Sequence, residues 1–418
     1  MRRPSSVISE PAKGAEAALW AASGAMALTG RATGPPQVGV GSPTTMLRDT
    51  LLLLADQAEG LVAEPDVRLL GERAAIAGLR RRGPASCGGG FRLLPSADGF
   101  LGLSLPRPED VELLPALVEG RSPARGDPWR TVAAWAREVP TDEAVARCRL
   151  FALAAAAVRS PDPRPSTRPP VVSRMGGHRM QRRSRPRVVD LSGLWAGPLC
   201  AHLLGLTGAD VIKVESITRP DGARRGPQPF FDLMHHGHDS VVVDLQDSDD
   251  VGHLAALMHS ADLVIESSRA RALAQIGLLA DEFVNAGVAW LSITARGRDS
   301  ETIGFGDDVA ADAGLLAWDD DGPVPAGDAI ADPLTGVVAA AAALEALEVE
   351  RAQLLDVSML AVAAEAAAGA AQEHEVRRDG DAWIVETAEG VWPVAAPHAR
   401  HPAGSAAVLG AHTRDHLR

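Results

Sequence analysis

Cysteine is scarce: Cys87, Cys148 and Cys200 are the only three in 418 residues. They stand far apart, with neither a disulfide framework nor a zinc-ligand spacing, which points to a reducing, cytoplasmic setting. Lysine is scarcer still. Lys13 and Lys213 are the whole complement, and all other basic charge is arginine. Alongside the abundant alanine, that excess reads as coding bias rather than function. Long apolar runs are missing too. Stretches such as Leu150–Val158 and Val337–Leu344 fall well short of the roughly 18 residues a membrane span requires. The opening MRRPSSVISEPAKG is basic but has no apolar h-region, so no secretory leader is expected. What remains is 46% hydrophobic and 23% charged, a globular composition that excludes disordered and fibrous classes.

The net charge of −13 argues against nucleic acid as a partner. Its distribution is lopsided. Residues 1–187 carry 27 Lys and Arg against 18 Asp and Glu, a balance of +9, whereas residues 188–418 carry 14 against 36, a balance of −22. The break coincides with RSPDPRPSTRPPVVSRMGGHRMQRRSRPR, residues 159–187, which reads as a Pro- and Arg-rich linker. The expected organisation is therefore a small α+β unit over 1–158, a linker over 159–187 and a larger domain over 188–418.

Beyond the linker the pattern is regular. Short apolar runs at Val188–Leu191, Asp210–Glu215, Ser240–Leu245, Ala261–Glu266 and Val288–Thr294 alternate with helical stretches, among them one over Ser248–His259. This alternation predicts βαβ units, a parallel sheet and helices on both faces. A long Ala-rich helix over about Pro333–Glu350, a strand LLDVSM and another Ala-rich helix follow. In such a sheet ligands bind beyond the carboxyl ends of the strands. The loops there contain neither GxGxxG nor GxxxxGK[ST], so dinucleotide and P-loop readings lack their motif. Before the linker, Thr50–Ala58, Leu69–Arg81, Trp129–Glu138 and Glu143–Val158 look helical, and FRLLPSADGFLGLSL (91–105) looks like two strands about a turn. A sparse internal repeat lays Ala21–Leu28 over Ala311–Trp318, with Gly34-Pro35 over Gly322-Pro323 and Thr44 facing Asp332.

Five stretches in order carry a family resemblance. They are VVDLSGLWAGPLCAHLLGLTGADVIKVES (188–216), SVVVDLQ (240–246), ESSRARALAQIGL (266–278), the span from SITARG through GFGDD and DAIADPLTG to LLDVSM (292–359), and the terminal LGAHTRDHL (409–417). This pattern resembles the class III, or CaiB/BaiF, CoA-transferases. The resemblance implies a Rossmann-like α/β fold with a smaller domain, here moved to the N-terminus, and residues 381–418 closing the fold. It implies CoA transfer between an acyl-CoA and a carboxylic acid, with CoA as substrate and no cofactor or metal. It also implies a homodimer, wrapped by the 159–187 linker.

The resemblance carries roles to particular residues. Asp332, in IADPLTG, matches the nucleophile that forms first an acyl anhydride and then an aspartyl-CoA thioester. From local sequence alone the same Asp, followed by Pro, reads as a helix N-cap. Trp195 and Ala196, Val243, Asp244, Leu245 and Gln246, and Ser267, Ser268 and Arg269 match positions that meet CoA. Phe305, Gly306, Asp307 and Asp308 match the segment near the thioester. Related racemases carry a His where Asp307 stands, so a two-base racemase lacks one base here, although a carboxylate pair sharing a proton is an alternative. Family arginines are replaced by Ser216 and Gln275, and Arg219, Arg224, Arg225 or Arg271 are candidates for the missing phosphate charge. These departures keep open a silent CoA-binding member. His235, His236 and His238 read as a polar loop.

Overall fold

The computed structural model describes residues 15–58, 66–120, 127–179, 183–369 and 373–417. The opening MRRPSSVISEPAKG and residues 180–182 of the expected linker lie outside them. In chain order the strands are β1 (Phe91–Pro95), β2 (Phe100–Ser104), β3 (Ala154–Val158), β4 (Val171–His178), β5 (Arg187–Asp190), β6 (Asp210–Ser216), β7 (Asp239–Val243), β8 (Leu263–Glu266), β9 (Ala289–Thr294), β10 (Leu316–Asp319), β11 (Gly322–Pro325), β12 (Arg351–Ser358), β13 (Glu375–Asp379), β14 (Ala382–Thr387) and β15 (Gly390–Pro393).

Seven of them form one sheet in the order β4-β12-β9-β8-β5-β6-β7, parallel throughout except at β4, and three smaller antiparallel sheets complete the α/β fold. The parallel strands are continuous apolar runs because both faces are covered. Alternate residues divide between two cores. Val188, Leu263, Leu291 and Leu355 face the helices Ala196–Leu206 and Ala331–Glu348. Val189, Val264, Trp290 and Leu354 face Ser248–His259 and Ala280–Asn285. The chain runs outward from β5 to β6 and β7, then returns past β5 to β8. The crevice of this topology therefore opens between the carboxyl ends of β5 and β8.

The domain plan differs from the sequence expectation in three places. First, β4 lies inside the expected linker. It pairs antiparallel with β12 as an edge strand, leaving only 159–170 as connection. Most of its side chains are exposed, so Arg and Gly are tolerated and no apolar alternation marks it. Gly176 is required there, since a Cβ would lie 2.2 Å from Val284 Cγ1. Second, the described residues up to Ala58, with Leu69 and Leu70, belong to the large domain. Trp20, Leu47, Leu51 and Leu54 share one core with the Ala331–Glu348 helix. Leu47, Leu51 and Leu54 form a single stripe on the helix Pro43–Gln57, which cannot stay solvated. The smaller unit is thus the region about Phe91–Val158, with its own core of Leu101, Leu103, Leu117, Val132 and Trp135. Third, the helix expected over Glu143–Val158 ends at Leu150, and Ala154–Val158 pairs with β2 instead. Tertiary pairing overrides the helix propensity of four alanines.

The expected hairpin of β1 and β2 forms, closing at Pro95 and Phe100. On the register of the sparse repeat, the helix Ala25–Leu28 falls at 315–318, where the chain forms β10, whereas the helix Pro43–Gln57 falls within Ala331–Glu348. Within the expected closing stretch 381–418, residues 395–412 run back over the large domain. They tie Ala21, Glu72, Asp232 and Ser240 in turn. Among the described residues no helix is long and apolar enough to cross a membrane. Trp20→Ala is expected to lower the stability of the main urea transition by about 3–5 kcal/mol. An unmoved transition would show that the N-terminal helices fold apart from the large domain.

Candidate functional site

Asp332 occupies the second position of the helix Ala331–Glu348. Ile330, not Asp332, stands at the N-cap, and no side chain caps this helix. The carboxylate is therefore not consumed by the capping role that local sequence suggests. The approach to the helix is tight. Ala329 holds a left-handed φ of 46°, uncommon for a residue with a Cβ. Two hydrogen bonds secure it: its N–H donates to Asp307 Oδ1 at 3.0 Å, and its carbonyl accepts from Asp332 N at 2.9 Å. Gly306 lies against the same turn, where a Cβ would stand 2.6 Å from Asp332 Oδ2.

Four carboxyl groups, those of Asp307, Asp308, Asp328 and Asp332, act on one another here. Burial pushes Asp332 up to about 7, and Asp307, Asp308 and Asp328 add to that against the opposing pull of Arg73. Asp307 is pushed up to about 6 by burial and by Asp328. Asp308, fully buried, is pushed up to about 7 by burial although it accepts from Ser104 Oγ at 2.7 Å and Phe305 N at 3.0 Å. The helix N-terminus favours the charged form of Asp332, but desolvation outweighs it.

The cation facing this group is Arg73. It grips Asp328 in a fork, Nε to Oδ2 at 2.9 Å and Nη2 to Oδ1 at 2.5 Å, and lies 5.2 Å over the Trp195 ring. Sequence reasoning missed Arg73. It lies 255 residues from Asp328, inside an unremarked GERAAIAG, and only the fold joins them. Ser86, which donates to Asp307, Cys87 and Ser104 were missed for the same reason. The first half of the chain thus completes a site whose other side comes from the second.

Of the residues expected at CoA, Phe305 to Asp308 adjoin Asp332 as described. Trp195 and Ala196 begin the neighbouring helix and are buried, Trp195 edge-on to Phe230 at 5.5 Å. Ser267 borders the crevice, its Oγ accepting from Gly193 N at 3.1 Å across the gap between β5 and β8. Ser268 Oγ donates to Glu266, and Arg269 is exposed beside them. Val243, Asp244, Leu245 and Gln246 lie farther away, at the end of edge strand β7, where Asp244 makes a local turn with Gln246 and Asp250. Among the candidates for phosphate charge, Arg224 is committed to Glu215 and Arg271 pairs with Glu301 at 3.0 Å. His235 and His238 are buried, and burial holds both below the usual histidine range.

The raised carboxyls fix a sign. A group protonated more readily in the folded chain stabilises it at low pH, and that contribution is lost as pH rises from about 4 through about 7. Asp332→Asn removes the loss. Its thermal midpoint is expected to exceed that of the wild type at pH 8 and to match it near pH 4. Equal midpoints at both pH values would show that Asp332 is not held neutral.

Comparison with known proteins gives this site its context. A profile of CoA-transferase family III matches residues 185–402, more than half of the chain. A succinate–glutarate CoA-transferase of Agrobacterium fabrum is 29% identical over 201 residues, 42% of this chain and 50% of that protein. A succinyl-CoA–D-citramalate CoA-transferase of Chloroflexus aurantiacus is 30% identical over 186 residues, 40% and 46% of the two chains. The chain spans about half the length of these curated relatives. Among solved structures, a hypothetical protein of Mycobacterium tuberculosis is 29% identical with a TM-score of 0.44, covering 49% of this chain and 65% of that one. A CaiB/BaiF family protein of Brucella suis is 21% identical, also at 0.44, covering 48% and 65%. By the profile match, the chain belongs to CoA-transferase family III.

Proposed function

We propose that the protein moves CoA from an acyl-CoA thioester to a carboxylic acid, with Asp332 as the nucleophile. The observation that carries this reading is the uncapped, partly accessible carboxylate of Asp332 on a helix start, pushed up to about 7 and faced by Arg73. A carboxylate that ionises near neutrality is more basic, and so a better nucleophile, than an ordinary Asp.

The steps balance as follows. The Asp332 carboxylate attacks the thioester carbonyl, the C–S bond breaks and CoA leaves as thiolate, giving a mixed anhydride. The thiolate attacks the aspartyl carbonyl, the acyl group leaves as its carboxylate, and an aspartyl-CoA thioester remains. A second carboxylate attacks that thioester and expels the thiolate, which attacks the new acyl carbonyl and frees Asp332. Arg73 offsets negative charge on Asp332 during these exchanges. The relatives named for succinate, glutarate and D-citramalate make succinyl-CoA the first donor to test.

Incubation with a competent acyl-CoA and hydroxylamine is expected to modify the peptide containing Asp332. Asp332→Ala and Asp332→Asn are both expected to lose transfer, and full activity in either would overturn the assignment. The racemase alternative needs a second base. Asp307 is committed to the Ala329 N–H and to Ser86. No rapid deuterium uptake at the α-carbon of 2-methylacyl-CoA is therefore expected by NMR, and efficient uptake would favour the racemase.

Two further outcomes follow from this reading. Transfer kcat/KM is expected to rise with pH through about 7, as Asp332 ionises. Arg73→Gln removes the cation that lowers Asp332, so this limb should move to higher pH, and an unmoved limb would show that Arg73 does not tune the nucleophile. We further propose a homodimer, as the family resemblance implies. Light scattering is expected to give about twice 43.6 kDa, and a stable monomer at micromolar concentration would refute it.

A further inference from the structure

Lys213 lies within β6 and is 1% exposed. It is one of two lysines in a chain whose other 39 basic residues are arginine. Its ammonium donates to the Ser192 carbonyl and stands 3.4 Å from Asp190 Oδ2 and 3.2 Å from Asp221 Oδ2. Both carboxylate oxygens are buried and have no other hydrogen-bond partner. The three acceptors come from two different segments: Asp190 and Ser192 from the end of β5 and the loop after it, Asp221 from the loop after β6.

The two carboxylates in turn hold backbone. Asp190 Oδ1 accepts from Ser192 N at 2.8 Å. Asp221 Oδ1 accepts from Leu194 N and Ala223 N, both at 2.9 Å. Leu194 is kept at a left-handed φ of 69° directly before Trp195. Glu215 joins the same knot, taking Asp221 N at 2.9 Å and pairing with Arg224. In these two loops Leu194 and Ile217 stand 47% and 57% exposed.

The residue type has a geometric reason. An ammonium presents three donors that diverge and can serve three separated acceptors. A guanidinium presents its donors in one plane, which suits a single carboxylate. A chain that otherwise uses arginine keeps lysine where one cation must tie two loops.

We propose that Lys213 is the positioning residue of the acyl-CoA mouth, fixing the loop after β5 against the loop after β6 and so setting affinity for CoA without touching the chemistry at Asp332. This rests on the reading of the β5–β8 crevice as the CoA site.

Lys213→Arg keeps the charge and changes the geometry. Calorimetric titration with CoA is expected to show Kd raised about 10-fold or more, with KM for acyl-CoA rising in step and kcat within about threefold. Asp221→Asn can keep both backbone bonds through Oδ1, replaces the acceptor facing Lys213 by an amide NH2, and is expected to weaken CoA in the same direction. A third measurement uses the wild-type chain. With lysine labelled at ζ-nitrogen, its two lysines give at most two ammonium signals, and the exchange-protected one is expected to shift on adding CoA. Wild-type affinity in Lys213→Arg, or a protected signal unmoved at saturating CoA, would overturn the positioning role alone. Absence of CoA binding to the wild type would instead overturn the crevice assignment, and the role of Lys213 with it.

Discussion

The Ala331–Glu348 helix can hold Asp332 where it does because much of its packed surface is glycine and alanine. At Gly336, one turn beyond Asp332, a Cβ would stand 2.7 Å from the Ala196 carbonyl and 3.0 Å from Leu199. Ala339, Ala340, Ala343 and Ala346 continue the packed surface. Three helices close on it: Ala196–Leu206, Pro43–Gln57 and Met359–Ala367. This approach places Trp195, at the start of its own helix, close enough to Asp332's surroundings for Arg73 to bridge them. A larger residue at Gly336 would separate the helices and open the site before it touched any charged group.

The charge asymmetry between the two halves acquires a structural meaning. Cations of the N-terminal half find anions of the C-terminal half within the same chain. Arg31 pairs with Asp319 at 2.7 Å, Arg164 with Asp312 at 3.5 Å, and Arg168 with Asp356. In the pair of Arg73 with Asp328 the carboxylate is fully buried. Surface pairs of this kind contribute little each, but together they register the small unit and the N-terminal helices on the large domain. The register matters because Arg73, Ser86 and Ser104 all reach the site from that side.

Legibility in the sequence followed burial. The central parallel strands announced themselves because both of their faces must be apolar, and their observed limits fall within a few residues of the apolar runs. The edge strand β4 did not, because VVSRMGGH is held by backbone bonds to β12 and has little face to bury. Of the helix Pro43–Gln57 the sequence shows only the stretch from Thr50 on, and its packing partner in the large domain is joined to it only by the fold. Asp332 and Phe305 to Asp308 lie in contiguous segments with a family pattern, and the fold brings them side by side. Arg73 was not, since a single arginine acquires its role only when the chain closes over 255 residues.

The three cysteines, informative at first only by their scarcity, have a chemical bearing on the proposed thioester chemistry. All are buried, and burial raises each thiol well above its ordinary value. Cys87 is the one nearest the carboxyl group at the site, and Asp328 and Asp307 push it further in the same direction. A thiol kept in that state is a poor acceptor for acyl exchange. Under the transfer proposed above, none of the three would compete with the thiol of CoA for an activated acyl group.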